Sequence, residues 1–266
     1  MKIVQHSQLF YWWPVWLIGF VLGMISLFSD TRLAVVPSKS RVIRTSEGYE
    51  IKVLDPRAGK EGAESPDWKY AAEAKENESP FRLHISSNKS LGVIWAITLI
   101  LVIFITNVPL RGMWSVVVLV SIVLLSIIFF LAGIWEALIA AIDILDIRVN
   151  TGGYFFISTV LFIMWAVTVF LFDQQTYWVF TPGQLRIHEA IGGGETAYDT
   201  RGMMTEKHRD DLFRHWILGL GTGDLTVRTA GAQPKEFRIQ NVWWVGHKLA
   251  MIQKMQSEIQ VVGERK

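Results

Sequence analysis

Trp114-Ser-Val-Val-Val-Leu-Val-Ser-Ile-Val-Leu-Leu-Ser-Ile-Ile-Phe-Phe-Leu-Ala-Gly-Ile-Trp135 carries no charged side chain along its whole length. A helix of roughly 20 apolar residues crosses about 30 Å of hydrocarbon, so this run reads as a membrane span. Residues 9–28, 91–108 and 154–172 read the same way. The chain is therefore expected to be an α-helical membrane protein with four transmembrane helices. The apolar runs hold almost no charge, and nearly all of it falls in a loop at 29–90 and a C-terminal segment from 173 onward.

The composition fits that partition. Charged residues make up 19% of the chain, below the roughly 25% of a soluble domain. Lys and Arg total 26 against 24 Asp and Glu, with no basic excess of the kind that binds nucleic acid. There are 0 cysteines, which excludes disulfides, thiolate metal sites and a Cys nucleophile. The run at 9–28 is long for a signal-peptide core and lacks a small-x-small cleavage site, so it reads as a retained anchor. Tyr11, Trp12, Trp13, Trp114, Trp135, Tyr154, Tyr177 and Trp178 lie near span ends, where aromatic rings settle at the membrane–water boundary.

Within the polar loop, 41–45 and 49–54 read as two strands around Ser46-Glu-Gly48. Residues 55–80 are rich in Glu, Lys, Ala, Gly and Pro and are expected to be mobile. Residues 81–86 read as a returning strand. Asn107-Val-Pro-Leu-Arg-Gly112 is a tight turn between spans two and three. A helix over 114–147 would be about 50 Å long, so it must tilt, bend near Gly133 or project from the surface. An even number of spans places both termini on one side. Arg111 in a short loop favours that side being cytoplasmic, while Arg32, Lys39, Arg41 and Arg44 pull the other way.

The C-terminal segment reads as strands at 177–181, 184–190, 195–200, 225–229 and 237–239, separated by Pro182-Gly183 and Gly-rich turns. Asn241 reads as the N-cap of a helix. Val245, Leu249, Ile252, Met255 and Ile259 recur at helical spacing and form its buried face. The expectation is a small antiparallel β domain closed by one helix. The domain boundaries are 1–28 for an anchor span, 29–90 for the loop, 91–172 for three spans, 173–258 for the β domain and 259–266 for a tail.

Two stretches carry a resemblance. Tyr177-Trp-Val-Phe-Thr-Pro-Gly-Gln-Leu-Arg186 resembles the opening strand pair of bacterial membrane-anchored pleckstrin-homology-like domains. Ile217-Leu-Gly-Leu-Gly-Thr-Gly-Asp-Leu-Thr-Val227 is similar to that family's Gly-rich turn and following strand, and Asn241-Val242 before the last helix also fits. The likeness is limited to residues 177–256. It implies a cytoplasmic interaction module in a bacterial cell membrane and supplies no catalytic residues. Lipid-binding members of the wider fold gather Lys and Arg in the first hairpin loop. Here that loop holds Pro182 and Gly183, which argues against phosphoinositide recognition.

Candidate chemistry is sparse. Gly219, Gly221 and Gly223 have G-x-G-x-G spacing before a strand, not the G-x-G-x-x-G of a dinucleotide turn. They read as a tight turn. Glu206-Lys-His-Arg-Asp-Asp-Leu-Phe-Arg-His-Trp216 holds His208 and His215 without an i, i+4 pair or third metal ligand, and reads as a short helix with a solvated face. Leu212, Phe213 and Trp216 would turn inward. For contact with a protein partner the expected residues are Arg214, His215 and Trp216, since Trp and Arg are enriched at interface hot spots. Glu136 interrupts a long apolar run, and Asp143 follows seven residues on, near the same helix face. Intramembrane carboxylates raise the alternative of a small transport or channel subunit with an ion path through Glu136 and Asp143; otherwise the span ends near Trp135 and Glu136 lies at the interface.

The sequence thus points to a non-enzymatic, membrane-anchored interaction or assembly protein. No catalytic, cofactor or metal site stands out. Its partners are expected to be membrane lipid and other membrane or cytoplasmic proteins, with a homo-oligomer open and nucleic acid excluded.

Overall fold

The computed structural model describes residues 1–33, 41–45, 48–52, 83–108, 110, 112–189, 194–209, 211–230 and 234–264. The stretch 55–80, expected to be mobile, lies outside the described residues, as do Arg111 and the side chains of Asp143 and Ile259.

The chain opens with strand β1 (Lys2–Val4), then a tight helical turn, Gln8–Trp12, that leads into helix α1 (Trp13–Leu27). Pro14 stands in the first turn of α1, where its missing N–H leaves no bond unmade. Beyond α1, β2 (Arg32–Leu33) precedes the hairpin β3 (Arg41–Thr45) and β4 (Gly48–Lys52); β5 (Leu83–His84) returns and pairs antiparallel with β2. Helices α2 (Ser90–Asn107) and α3 (Met113–Leu131) follow, then a short α4 (Ile134–Ile144) and α5 (Thr151–Val167). Asn150 caps α5 by accepting the Gly153 N–H at 2.7 Å. Two further helical turns carry α5 to Gln175, and only Thr176 separates them from strand β6 (Tyr177–Thr181).

Four helical stretches are long and apolar enough to cross a membrane: Gln8–Leu27, Ser90–Asn107, Met113–Leu131 and Thr151–Gln175. These are the spans of a multi-pass membrane protein. Backbone groups in lipid must be satisfied internally, and helices do so. The α1–α5 contact is made through Gly19 and Gly23, a small-xxx-small pair that lets two helices approach closely. A Cβ at Gly19 would overlap Ser158 Oγ, and one at Gly23 would lie 3.2 Å from Tyr154 Cβ. By contrast, Ser115 is the only buried residue of α3 among the described residues.

The expected bend near Gly133 is present. Gly133 takes a left-handed conformation, φ +67°, and ends the third span at Leu131. The Trp135 indole then donates back to the Ser126 carbonyl at 3.0 Å. A Cβ on Gly92, at the start of α2, would run into the Ile147 carbonyl. The far end of α2 packs against Phe213 and Leu218 of the C-terminal domain. α4 and the residues after it therefore lie at the bundle end away from that domain.

The domain after α5 contains β6, β7 (Gln184–His188), β8 (Glu195–Asp199), β9 (Met204–His208), β10 (Gly223–Arg228), β11 (Glu236–Val242) and helix α6 (Val245–Glu264). The strands form an antiparallel sheet of order β1-β6-β7-β8 and another of order β11-β10-β9. Ile3, Phe180, Leu185, Leu225 and Ile239 fill the core between the sheets, closed by Val245 and Ile252 of α6. Leu249 and Met255 pack at its margin. β1 was not expected from sequence. It sets Lys2 opposite Val179 and Val4 opposite Tyr177, and buries Ile3 completely. The segment before the first span is thereby part of the domain after the fourth, on the same side of the spans.

Candidate functional site

The densest polar cluster lies where the N-terminal segment passes between domain and bundle. Tyr11 has no exposed surface. Its hydroxyl donates to Asn241 Oδ1 at 2.9 Å and lies 3.1 Å from Thr222 Oγ1. Asn241 also donates from Nδ2 to the His6 carbonyl at 2.8 Å and from its backbone N–H to Asp224 Oδ1 at 3.0 Å. One residue thus joins β1's trailing segment and the first-span entry through its side chain and β10 through its backbone N–H. Asn241 holds φ +55°, a left-handed conformation that Asn tolerates better than most residues. It sits within β11, four residues before α6, so it is a junction residue and not the expected helix N-cap.

Charge surrounds this hub in balance. Asp224 Oδ2 accepts from Arg238 Nη2 at 2.7 Å and lies 3.6 Å from Arg214 Nη2. Asp211 accepts the Arg214 backbone N–H at 2.9 Å, and its other oxygen is 3.9 Å from Arg214 Nε. His215 Nδ1 lies 3.3 Å from Thr222 Oγ1. Burial alone would raise the Asp224 pKa. The Asn241 N–H and the Arg238 guanidinium outweigh it and hold the carboxyl below its ordinary value. The two buried carboxylates are thus faced by buried Arg214, the partly exposed Arg238 and the His215 ring, whose Nε2 is 3.9 Å from Asp224 Oδ1.

Further bonds tie the spans to the junction. His6 Nδ1 lies 3.2 Å from Asp173 Oδ2, which also accepts the Ser7 N–H at 3.1 Å. The Trp13 indole donates to the Leu218 carbonyl at 2.8 Å, and the Trp165 indole of α5 to the Phe10 carbonyl at 3.1 Å. Gly219 sits so close to Tyr11 that a Cβ would come within 2.9 Å of the ring. The Gly-rich stretch is a tight turn made for this approach.

The structure separates the residues expected to touch a partner. Glu206 to His208 lie in β9, not in a helix, and helical structure begins only at Leu212. In the single turn Phe213–Leu218, Arg214 and His215 point into the junction and are buried, while Trp216 is 56% exposed. The expected inward turn of Trp216 is therefore reversed. Arg209 lies 5.3 Å over its ring. Tyr11 and Tyr154 are buried inside the protein and not at a lipid-facing belt. Glu136 is exposed in the first turn of α4, beyond the end of the third span.

Tyr11, Asn241, Asp224 and Arg238 were missed as site residues. Tyr11 has the sequence signature of a belt aromatic, and Asn241 that of a cap. Chemically the cluster is a clamp: its carboxylates are engaged by guanidinium and amide donors. Among the described residues no group of three or more His, Asp or Glu could hold a metal ion. No protein-family model, curated protein or solved structure matches the chain.

Proposed function

We propose that this chain is a non-enzymatic, membrane-anchored interaction subunit that holds a pleckstrin-homology-like module fixed at the cytoplasmic face of a bacterial cell membrane. The observation that carries this reading is the double attachment of the module. It follows α5 after a single residue, and it takes its edge strand β1 from the segment before the first span and the buried Tyr11 clamp from the start of that span. A tethered domain that must swing needs a linker; here only Thr176 separates the module from the last helical turn. Sheets of four and three strands closed by one helix support the pleckstrin-homology-like assignment, together with the resemblance at 177–256.

The surface offered to a partner in this reading is the outer edge of β8, which among the described residues pairs only with β7. An extended partner segment can add to such an edge through backbone hydrogen bonds. A photo-crosslinking amino acid placed at Thr196 or Ala197 of the full-length chain in its native membrane tests this. The reading expects a discrete protein adduct at these positions and none at Thr226. No adduct at either edge position would remove the docking surface.

A further inference from the structure

Large apolar side chains crowd the module's loops beside the bundle. Trp216, Ile217 and Leu220 are 56%, 53% and 65% exposed, and Trp243 and Trp244 are 48% and 61%. The two loops are neighbours. Arg209 Nη2 bonds the Gly221 carbonyl at 2.9 Å and lies 3.8 Å from where a Gly246 Cβ would be.

The backbone in these loops is unusual. Leu220 holds φ +48° and Trp244 holds φ +51°. A bulky residue in the left-handed region is strained, and such strain persists where surroundings over-determine it. Here the strained residues carry exposed apolar side chains, so burial within the chain does not offset the strain. Glycine would adopt both conformations freely, yet the positions hold a Leu and a Trp.

Their location identifies what covers them. Phe213 and Leu218, in the same turn as Trp216 and Ile217, pack into one cluster with Val102 and Ile105 of α2 and Val15 of α1. Trp13, at the first turn of α1, bonds the Leu218 carbonyl. Trp243 lies 6.5 Å from Phe10, just before the same helix. The loops are therefore continuous with the ends of the spans, at the depth where hydrocarbon gives way to headgroups. Indole rings favour that depth, with an apolar body and a polar N–H.

We propose that Trp216, Ile217, Leu220, Trp243 and Trp244 form a second membrane contact, seated in the headgroup–acyl boundary of the leaflet next to the module. The occupant is the lipid surface. The contact would brace the module against tilting and does not depend on any protein partner.

The absence of cysteine permits a direct test. Single substitutions Ile217→Cys, Leu220→Cys and Glu236→Cys are each labelled with a nitroxide in the full-length protein and reconstituted in phosphatidylcholine–phosphatidylglycerol vesicles. Collision rates with oxygen and with a water-soluble nickel chelate report depth. The proposal expects the oxygen-to-nickel ratio at 217 and 220 to exceed that at 236 several-fold. Ratios equal to that at 236 would overturn it, since the loops would then stand in water. Exclusion of both reagents at 217 and 220 would also overturn it, because protein and not lipid would then cover the loops.

Discussion

The Tyr11 hydroxyl donates to Asn241 Oδ1 at 2.9 Å across 230 positions of sequence. Tyr11 stands at the entry to the first span and Asn241 at the end of the last strand. Each is fully enclosed, so the bond is made in a medium where neither group has water as an alternative. Tyr11→Phe keeps the ring and deletes the donor. It leaves Asn241 Oδ1 short of its partner, and should destabilise the module by about 1–3 kcal/mol. Thermal unfolding in mild detergent checks this, and α1–α5 packing should survive.

Asp224 gives the module an acid sensitivity. Its folded pKa lies below the ordinary value, so it contributes stability above the unfolded pKa of about 3.9. That contribution is lost as pH falls through the lower folded value. Asp224→Asn should flatten this acid limb. It should also destabilise the module at neutral pH, since buried Arg214 would lose the Asp224 carboxylate at 3.6 Å and keep only Asp211, 3.9 Å from its Nε. The loss should fall toward the lower end of about 3–5 kcal/mol because Arg238 is partly exposed. Denaturant midpoints measured against pH would show both effects.

Ile3→Ala should loosen the edge strand without touching any span. Ile3 is completely buried in the module core, and truncating such a side chain costs about 2–5 kcal/mol. Amide exchange at Phe180, whose N–H bonds the Met1 carbonyl, should accelerate sharply. Unchanged exchange there would mean that β1 does not hold β6.

Gly19→Leu should separate α1 from α5, because the new side chain must occupy space filled by Ser158 and Trp95. Gly152→Ala, with nothing within 4 Å, is the matched control and should be tolerated. Yield of monodisperse protein from membranes distinguishes the two.

The legible parts of this fold are those set by local pattern. Apolar length marked all four spans, and Pro182-Gly183 and the alternation around Leu185 and Ile187 marked the β6–β7 hairpin. Gly133 announced the break before α4. What failed was non-local. β1 is three residues long, too short for a periodic signal, and its partner strand follows all four spans. Tyr11 has the same neighbours in sequence as a belt aromatic, and only the module's approach makes it a junction residue. In sequence Arg214, His215 and Trp216 read together as a contact for a protein partner. A single helical turn sends the first two inward to Asp211 and Asp224 and the third outward.

The central claim is that module and bundle are held in one fixed relation. The most direct measurement is the distance distribution between nitroxides at Asn107→Cys, on the bundle end, and Glu195→Cys, on β8, in full-length protein in lipid. A single narrow distribution that broadens in Tyr11→Phe is the predicted result. A broad distribution in the unmodified junction would contradict the account, because the module would then swing on Thr176 despite β1 and the Tyr11–Asn241 bond.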